Sequence, residues 1–222
     1  MPFSHPRARF GSEAGSIPVS SVVHTQCGGT CYANAIATAV RAAESRIVGR
    51  EPASHAAIVG SIVRRHGTDG GHVASVLTEE CIPRQLRWTQ LTDASACRQV
   101  VQQERRVAIA SFWLSGRQWE RFSQFFRQNP RGVLRGAEVG QEDEEDELDM
   151  LAELQGHAVG VVGFGRDYVL LKNSWGAGWG QDGCFKVELG AVEFKFYDVF
   201  YVVQDLTAED RSRFALAQRQ VR

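Results

Sequence analysis

Long apolar runs are missing from this 222-residue chain. None approaches the roughly 20 consecutive apolar residues that span a bilayer, so no membrane partner is expected. Residues 1–23 also lack the continuous apolar core of a secretory leader and read as an irregular strap. Charge of one sign is scarce. The net charge is −1, from 25 basic and 26 acidic residues, and the basic ones are mostly scattered Arg. A nucleic-acid footprint needs clustering on one face, so no nucleic-acid partner is expected either. Metal-ligand spacing is absent: His5, His24, His55, His66 and His72 recur at no interval that suits a metal, and no cofactor is expected. Cysteine is sparse and odd in number, with Cys27, Cys31, Cys81, Cys97 and Cys184. One free thiol with up to two bridges fits, and so do five reduced thiols. The expectation leans to an intracellular, reducing compartment.

What is present fits a soluble globular fold, with 43% hydrophobic and 23% charged residues. The charge is unevenly placed. Residues 138–149 hold eight acids (Glu138, Glu142, Asp143, Glu144, Glu145, Asp146, Glu147 and Asp149), leaving about +7 on the rest. This stretch reads as a solvated insertion. A flap over a cleft that steers basic substrates is the sharper alternative.

The chain is organised around Gln26-Cys27-Gly28-Gly29-Thr30-Cys31-Tyr32-Ala33-Asn34-Ala35. Cys31 follows a small-residue turn and opens an alanine-rich helical run. The first N–H groups of a helix are unpaired and carry partial positive charge, which favours a thiolate over a thiol. A nucleophile needs a base, and the base needs an orienting group. Downstream stand Gly156-His157-Ala158-Val159-Gly160 and Lys172-Asn173-Ser174-Trp175-Gly176-Ala177-Gly178-Trp179-Gly180.

Together these three segments resemble the papain family of cysteine peptidases. The resemblance implies Cys31 as nucleophile, His157 as base and Asn173 as the amide that orients it. Trp175 would cover the His–Asn bond, and Gln26 would offer an N–H to the oxyanion. His157 follows Cys31 by 126 residues, slightly below the roughly 130–150 of the family. Gln26 lies five residues before Cys31, one fewer than the family pattern, and an Asp-Trp-Arg segment usual before the nucleophile is missing. Asp69-Gly70-Gly71 resembles the loop that pairs with extended substrate backbone, which makes Gly70 and Gly71 candidate substrate contacts beside Ala158. If Phe200-Tyr201 aligns with a similar pair in the family, Asp198 falls at the base of a specificity pocket and favours Arg or Lys. The first cysteine of the family's Cys-Gly-x-Cys is replaced by Gly28, so the usual bridge cannot form, although Cys27 stands one residue earlier.

The expected fold class is α+β: one two-lobe, papain-like domain over residues 1–222, with the cleft between the lobes. Helical stretches at 31–46, 54–65 and 73–80 fill a first lobe over about 24–105. Apolar, β-rich 107–114 and strands at 156–164, 167–173, 183–189 and 198–203 build an antiparallel, barrel-like second lobe over about 106–205. A strand at 86–88 and helices at 93–103 and 115–128 lie between. Trp119, Phe122, Phe125 and Phe126 line one face of the last helix and read as core. An Arg-rich tail covers 206–222, and its Thr207-x-x-Asp210 reads as a helix start.

The expected activity is hydrolysis of peptide bonds, as endo- or exopeptidase, through a Cys31 thiolate/His157 imidazolium pair and an acyl-enzyme. Partners would be a peptide or protein substrate and an inhibitory propeptide or regulatory domain outside this chain; the chain itself would be a monomer. Two rivals stay open: acyl transfer through the same acyl-enzyme, and a papain-like pseudo-enzyme used as a binding or inhibitory module.

Overall fold

Among the described residues, seven strands, β1 to β7 in chain order, form one open sheet in the order β1-β7-β2-β4-β5-β6-β3. The computed structural model describes residues 23–68, 71–140 and 154–220, with side chains to residue 217. Along the chain these are α1 (Cys31–Glu44), α2 (His55–His66), α3 (Val73–Cys81), β1 (Arg87–Leu91), α4 (Ala94–Arg98), β2 (Ala108–Leu114), α5 (Gly116–Gln128), β3 (Val133–Leu134), α6 (Gly136–Val139), β4 (Gln155–Phe164), β5 (Tyr168–Lys172), β6 (Cys184–Glu188), β7 (Lys195–Phe200) and α7 (Ala208–Gln220). Neighbouring strands run antiparallel, except that β3 lies parallel to β6. The expected barrel is therefore an open sheet.

Alternation along the strands gives the sheet two apolar faces. Successive side chains point to opposite sides. Ile109, Ala158, Tyr197 and Val199 pack with α1 in one core, whereas Ala110, Phe112, Val159, Val161 and Phe196 join α5 in another. Helix α1 is buried almost all round because small residues, Ala33, Ala35, Ala37 and Ala39, let its neighbours approach. Ser54 caps α2 through the Ala57 N–H. Ser115 and Gln118 form a reciprocal capping box on α5, and that helix turns Phe122 and Phe126 into the second core. Full burial of a Phe side chain such as Phe122 is worth about 2–3 kcal/mol.

Some expected elements shift. The helix expected at 93–103 starts as foreseen, with Asp93 accepting from the Ala96 N–H at 2.9 Å, but widens to a π-turn over Gln99–Gln103. The last strand lies at 195–200 rather than 198–203, because β1 supplies partners only up to Phe200, opposite Arg87. All five cysteines are free thiols, with Cys27 exposed and the others buried. The tail forms α7 from the helix start expected at Thr207, and it docks: Asp210 pairs with Arg50 at 2.5 Å, and Thr207 accepts from the Asp210 N–H.

Candidate active site

Cys31 is the first residue of α1, where no side chain caps the helix. The preceding Thr30 instead donates to the Cys27 carbonyl at 3.0 Å, which closes the turn that delivers the cysteine. Cys31 is nearly covered, at 9% exposure. Burial pushes its thiol up, and backbone N–H groups at Ala158, Tyr32 and Cys31 pull it back. These are the unpaired donors expected of a helix start, supplemented by β4.

His157 enters from the end of β4, opposite Phe112 of β2. Its Nε2 lies 2.9 Å from Asn173 Oδ1. The same Oδ1 accepts from the Ser174 N–H at 2.9 Å. A backbone N–H can only donate, so the oxygen of the amide faces both groups and Nε2 must carry the proton. In the neutral ring Nδ1 is then the open acceptor. Three aromatic rings enclose the imidazole: Trp175 at 4.8 Å between centroids, Phe112 at 5.7 Å and Trp119 at 5.8 Å. This enclosure lowers the His157 pKa to about 4, against the raising effect of the Asn173 bond. Burial opposes charge on both the thiol and the imidazole.

Glycine makes the Trp175 loop possible. Gly176 and Gly180 hold φ of +86° and +60°, a region that costs a side-chain-bearing residue strain. The loop pairs back onto the strap through a Thr25–Trp175 bridge and the Gly176 N–H to the His24 carbonyl. Gln26 is fixed on that strap. Its Oε1 accepts from Ser174 Oγ at 2.6 Å, and its Nε2 donates to the Gly28 carbonyl at 2.8 Å. One amide N–H remains for another acceptor.

Cys31 and His157 open on one cleft of 730 Å³, shared with Gly71, Ala158, Lys195 and Tyr197. Gly71 rests on the ring of Tyr32: a Cβ there would lie 2.9 Å from the ring and from Val76. The Tyr32 hydroxyl donates to the Gly67 carbonyl at 2.6 Å, so one side chain beside the thiol props both ends of the glycine loop. Gly70 lies outside the described residues, as do residues 141–149 of the acidic stretch.

Asp198 is a correction. It is 2% exposed and makes a paired contact with Arg106, at 3.1 Å to Nε and 2.6 Å to Nη2. Alternation along β7 turns it away from the cleft, whereas Lys195 and Tyr197 line it. Sequence reasoning missed Lys195, Ser111 and Gln90 as cleft residues and Trp119 as part of the histidine's enclosure. The Trp119 position within an aromatic stripe was visible, but its Nε1 bond to the Gln155 carbonyl was not. Among the described residues, no three His, Cys, Asp or Glu side chains converge as metal ligands. No helix of the described residues is long and apolar enough to cross a membrane.

The buried histidines make a pH prediction. His55, 9% exposed, also has its pKa lowered to about 4, first by burial and then by His24. For both His55 and His157 the folded value lies below the unfolded 6.5, so the unfolded chain takes up protons first. Stability is present above pH 6.5 and is lost as pH falls toward 4, by about 3 kcal/mol per histidine at pH 4. Urea unfolding of a Cys31→Ala protein, which cannot digest itself, should show this fall, and His55→Gln should reduce it. Equal midpoints at pH 7 and 4.5 would remove the claim.

A model of the papain family cysteine proteases matches residues 140–198. Papain of Carica papaya is 53% identical over 34 residues, 15% of this chain and 10% of that protein. The first few curated relatives are matched over only 10–17% of their length. Over most of the chain the likeness is structural. The bromelain protease of Ananas comosus, solved with the E64 inhibitor, superposes with a TM-score of 0.57 over 83% of this chain and 94% of that one, at 17% identity. Xylellain, a cysteine protease of Xylella fastidiosa, gives 0.55 over 90% and 91%, at 16% identity. The fold is papain-like.

Proposed function

We propose that this papain-like chain is a cysteine peptidase in which Cys31, His157 and Asn173 carry the reaction. One observation supports this most: a thiol at an uncapped helix start shares a cleft with a histidine whose proton is fixed on the far nitrogen by Asn173. That leaves Nδ1 to take the thiol proton. As Cys31 Sγ attacks the scissile carbonyl, the proton passes to Nδ1, and the imidazolium then protonates the leaving amine. The oxyanion meets the Cys31 N–H and the remaining N–H of Gln26. Water, activated by the neutral imidazole, releases the acyl group. Trp175 and Trp119 keep water from the His157–Asn173 bond, so the imidazole does not swing away. A peptide substrate would lie along Gly71 and Ala158 in the cleft, and an inhibitory segment outside this chain would block it.

Reaction with E-64, the epoxide held in the bromelain structure, tests the reading. One adduct is expected, on Cys31, and prior denaturation should abolish it. Exposed Cys27 is the internal control. An adduct on Cys27 instead, or none on folded protein that still reacts with a small maleimide at Cys27, would overturn the proposal.

The cleft lining also predicts a preference. Its basic wall residues outside the Cys31–His157 pair are Lys195 and His72, with no carboxylate among the described lining. Lys195 Nζ sits over Trp113, 5.0 Å from the ring. The subsite bordered by Lys195 should prefer Glu to Arg by roughly tenfold, the worth of about 1–1.5 kcal/mol for one half-solvated charge. Positional-scanning peptides should show the preference, and Lys195→Glu should invert it. A preference for Arg in the unaltered protein would contradict it.

A further inference from the structure

A second cavity, of 250 Å³, lies behind the site, between the C-terminal half of α1 and the ends of β2 and β7. Its wall is basic. Arg41, Arg46, Arg105 and Lys172 line it with His24 and His55, and no carboxylate among the described residues does. Arg106 also reaches it, but its charge is taken by Asp198 and Glu104. Arg41, Arg46 and Arg105 form no ion pair among the described residues. Arg46 donates only to the Arg105 carbonyl, at 2.7 Å. Arg41 Nε is buried without any hydrogen-bond partner.

Among the described residues no carboxylate pairs with Arg41, Arg46 or Arg105 to neutralise their charge. The C-terminal end of α1, near Arg41 and Arg46, contributes only about half a negative charge. Arg41 is half-buried and Arg46 and Arg105 are exposed, and like charges gathered this way repel unless something of opposite sign is held among them. An orphaned buried donor, likewise, calls for a missing acceptor. The floor of the cavity is polar and flat: His24 stacks on His55 with ring centroids 3.6 Å apart and planes 1° from parallel. Burial lowers both pKa values, with Lys172 and Arg41 adding to the effect; His55 gives its one N–H to the Asn34 carbonyl, 3.2 Å away, which leaves the His24 ring to offer an N–H. Planar guanidinium groups with one imidazole donor suit the three-oxygen face of a phosphoryl group. The volume falls just below the roughly 300 Å³ at which pockets for drug-sized ligands begin, so the ligand is small.

We propose that this cavity is a binding site for a small phosphate-class oxyanion, held by Arg41, Arg46 and Arg105 over the His24–His55 pair. It adjoins the candidate active site without sharing its reacting groups. Lys172 precedes Asn173, and the His24 carbonyl holds the Trp175 loop through Gly176. The proposal does not depend on peptidase activity, because binding is read directly.

The test is calorimetric titration of the full chain with inorganic phosphate at fixed ionic strength in chloride. Saturable binding is expected, with one site. Arg41→Gln and Arg105→Gln should each weaken it at least tenfold. Without phosphate, neither variant should lower the thermal midpoint, because each removes an unpaired charge; a purely structural Arg41 would lower it. Glycerol 1-phosphate in a parallel titration separates the sources. Tighter binding than inorganic phosphate assigns the site to a phosphate ester, and equal or weaker binding to the free ion. No saturable heat with either ligand, or binding that survives both variants unchanged, would overturn the proposal.

Discussion

Replacing Cys31 by alanine is expected to lower kcat/KM on a peptide substrate by on the order of 10⁴-fold or more. His157→Ala should cost about as much. The double variant should be no worse than the poorer single one, because the two groups act as one unit and neither does much without the other. Residual activity above the uncatalysed rate would then come from the N–H donors at Cys31 and Gln26 and from substrate placement in the cleft. The measurement is kcat/KM for one fluorogenic peptide in the unaltered protein and the three variants, with E-64 added only to the two variants that lack Cys31, to remove any contaminating peptidase. The fold should survive. Cys31 has few atoms beyond Cβ, and its neighbours at the helix start are backbone groups. A loss below about tenfold in Cys31→Ala would mean that the thiol is not the nucleophile, whatever the rest of the site resembles.

How much of this was legible before the structure depended on whether a signal was local. Cys31 at a helix start, and His157 and Asn173 16 residues apart within strand-and-glycine segments, could be picked out because each carries its own sequence context. Gly71 could be named for the same reason, although the Tyr32 ring that makes glycine necessary there comes from a different element. Caps at Ser54, Asp93 and Ser115 follow from nearest-neighbour chemistry. What could not be read was set by register. Asp198 was aligned to a pocket, but a one-residue step along β7 decides which face a side chain takes, and that step put Lys195 and Tyr197 in the cleft instead. The open sheet was hidden for a related reason: closure depends on whether edge strands β1 and β3 find each other, and no short window carries that information. The basic cavity is the extreme case. His24, Arg41, His55, Arg105 and Lys172 come from five separate stretches, and their meeting is visible only in three dimensions.

The buried Asp198–Arg106 pair gives the second large expected effect. Arg106→Leu should destabilise the protein by about 3–5 kcal/mol, the usual cost of leaving one buried partner without the other. The reason lies in the environment of Asp198. It projects into the core shared by Phe196 and Cys97, and burial raises its pKa even with Arg106 opposing. Remove the guanidinium, and the carboxylate has to stay charged in that core or take a proton. The deficit should therefore shrink at pH 5 relative to pH 7, because protonation then costs less. Arg106→Leu combined with Asp198→Asn should recover much of the loss, since the uncompensated charge is gone. Glu104, more exposed on the other side of Arg106, contributes little. Urea unfolding at the two pH values measures all of this. The same variants decide what Asp198 is for. Preference among peptide side chains should be unchanged in Asp198→Asn, while it inverts in Lys195→Glu. A deficit under 1 kcal/mol in Arg106→Leu, or a lost preference for basic side chains in Asp198→Asn, would return Asp198 to the cleft.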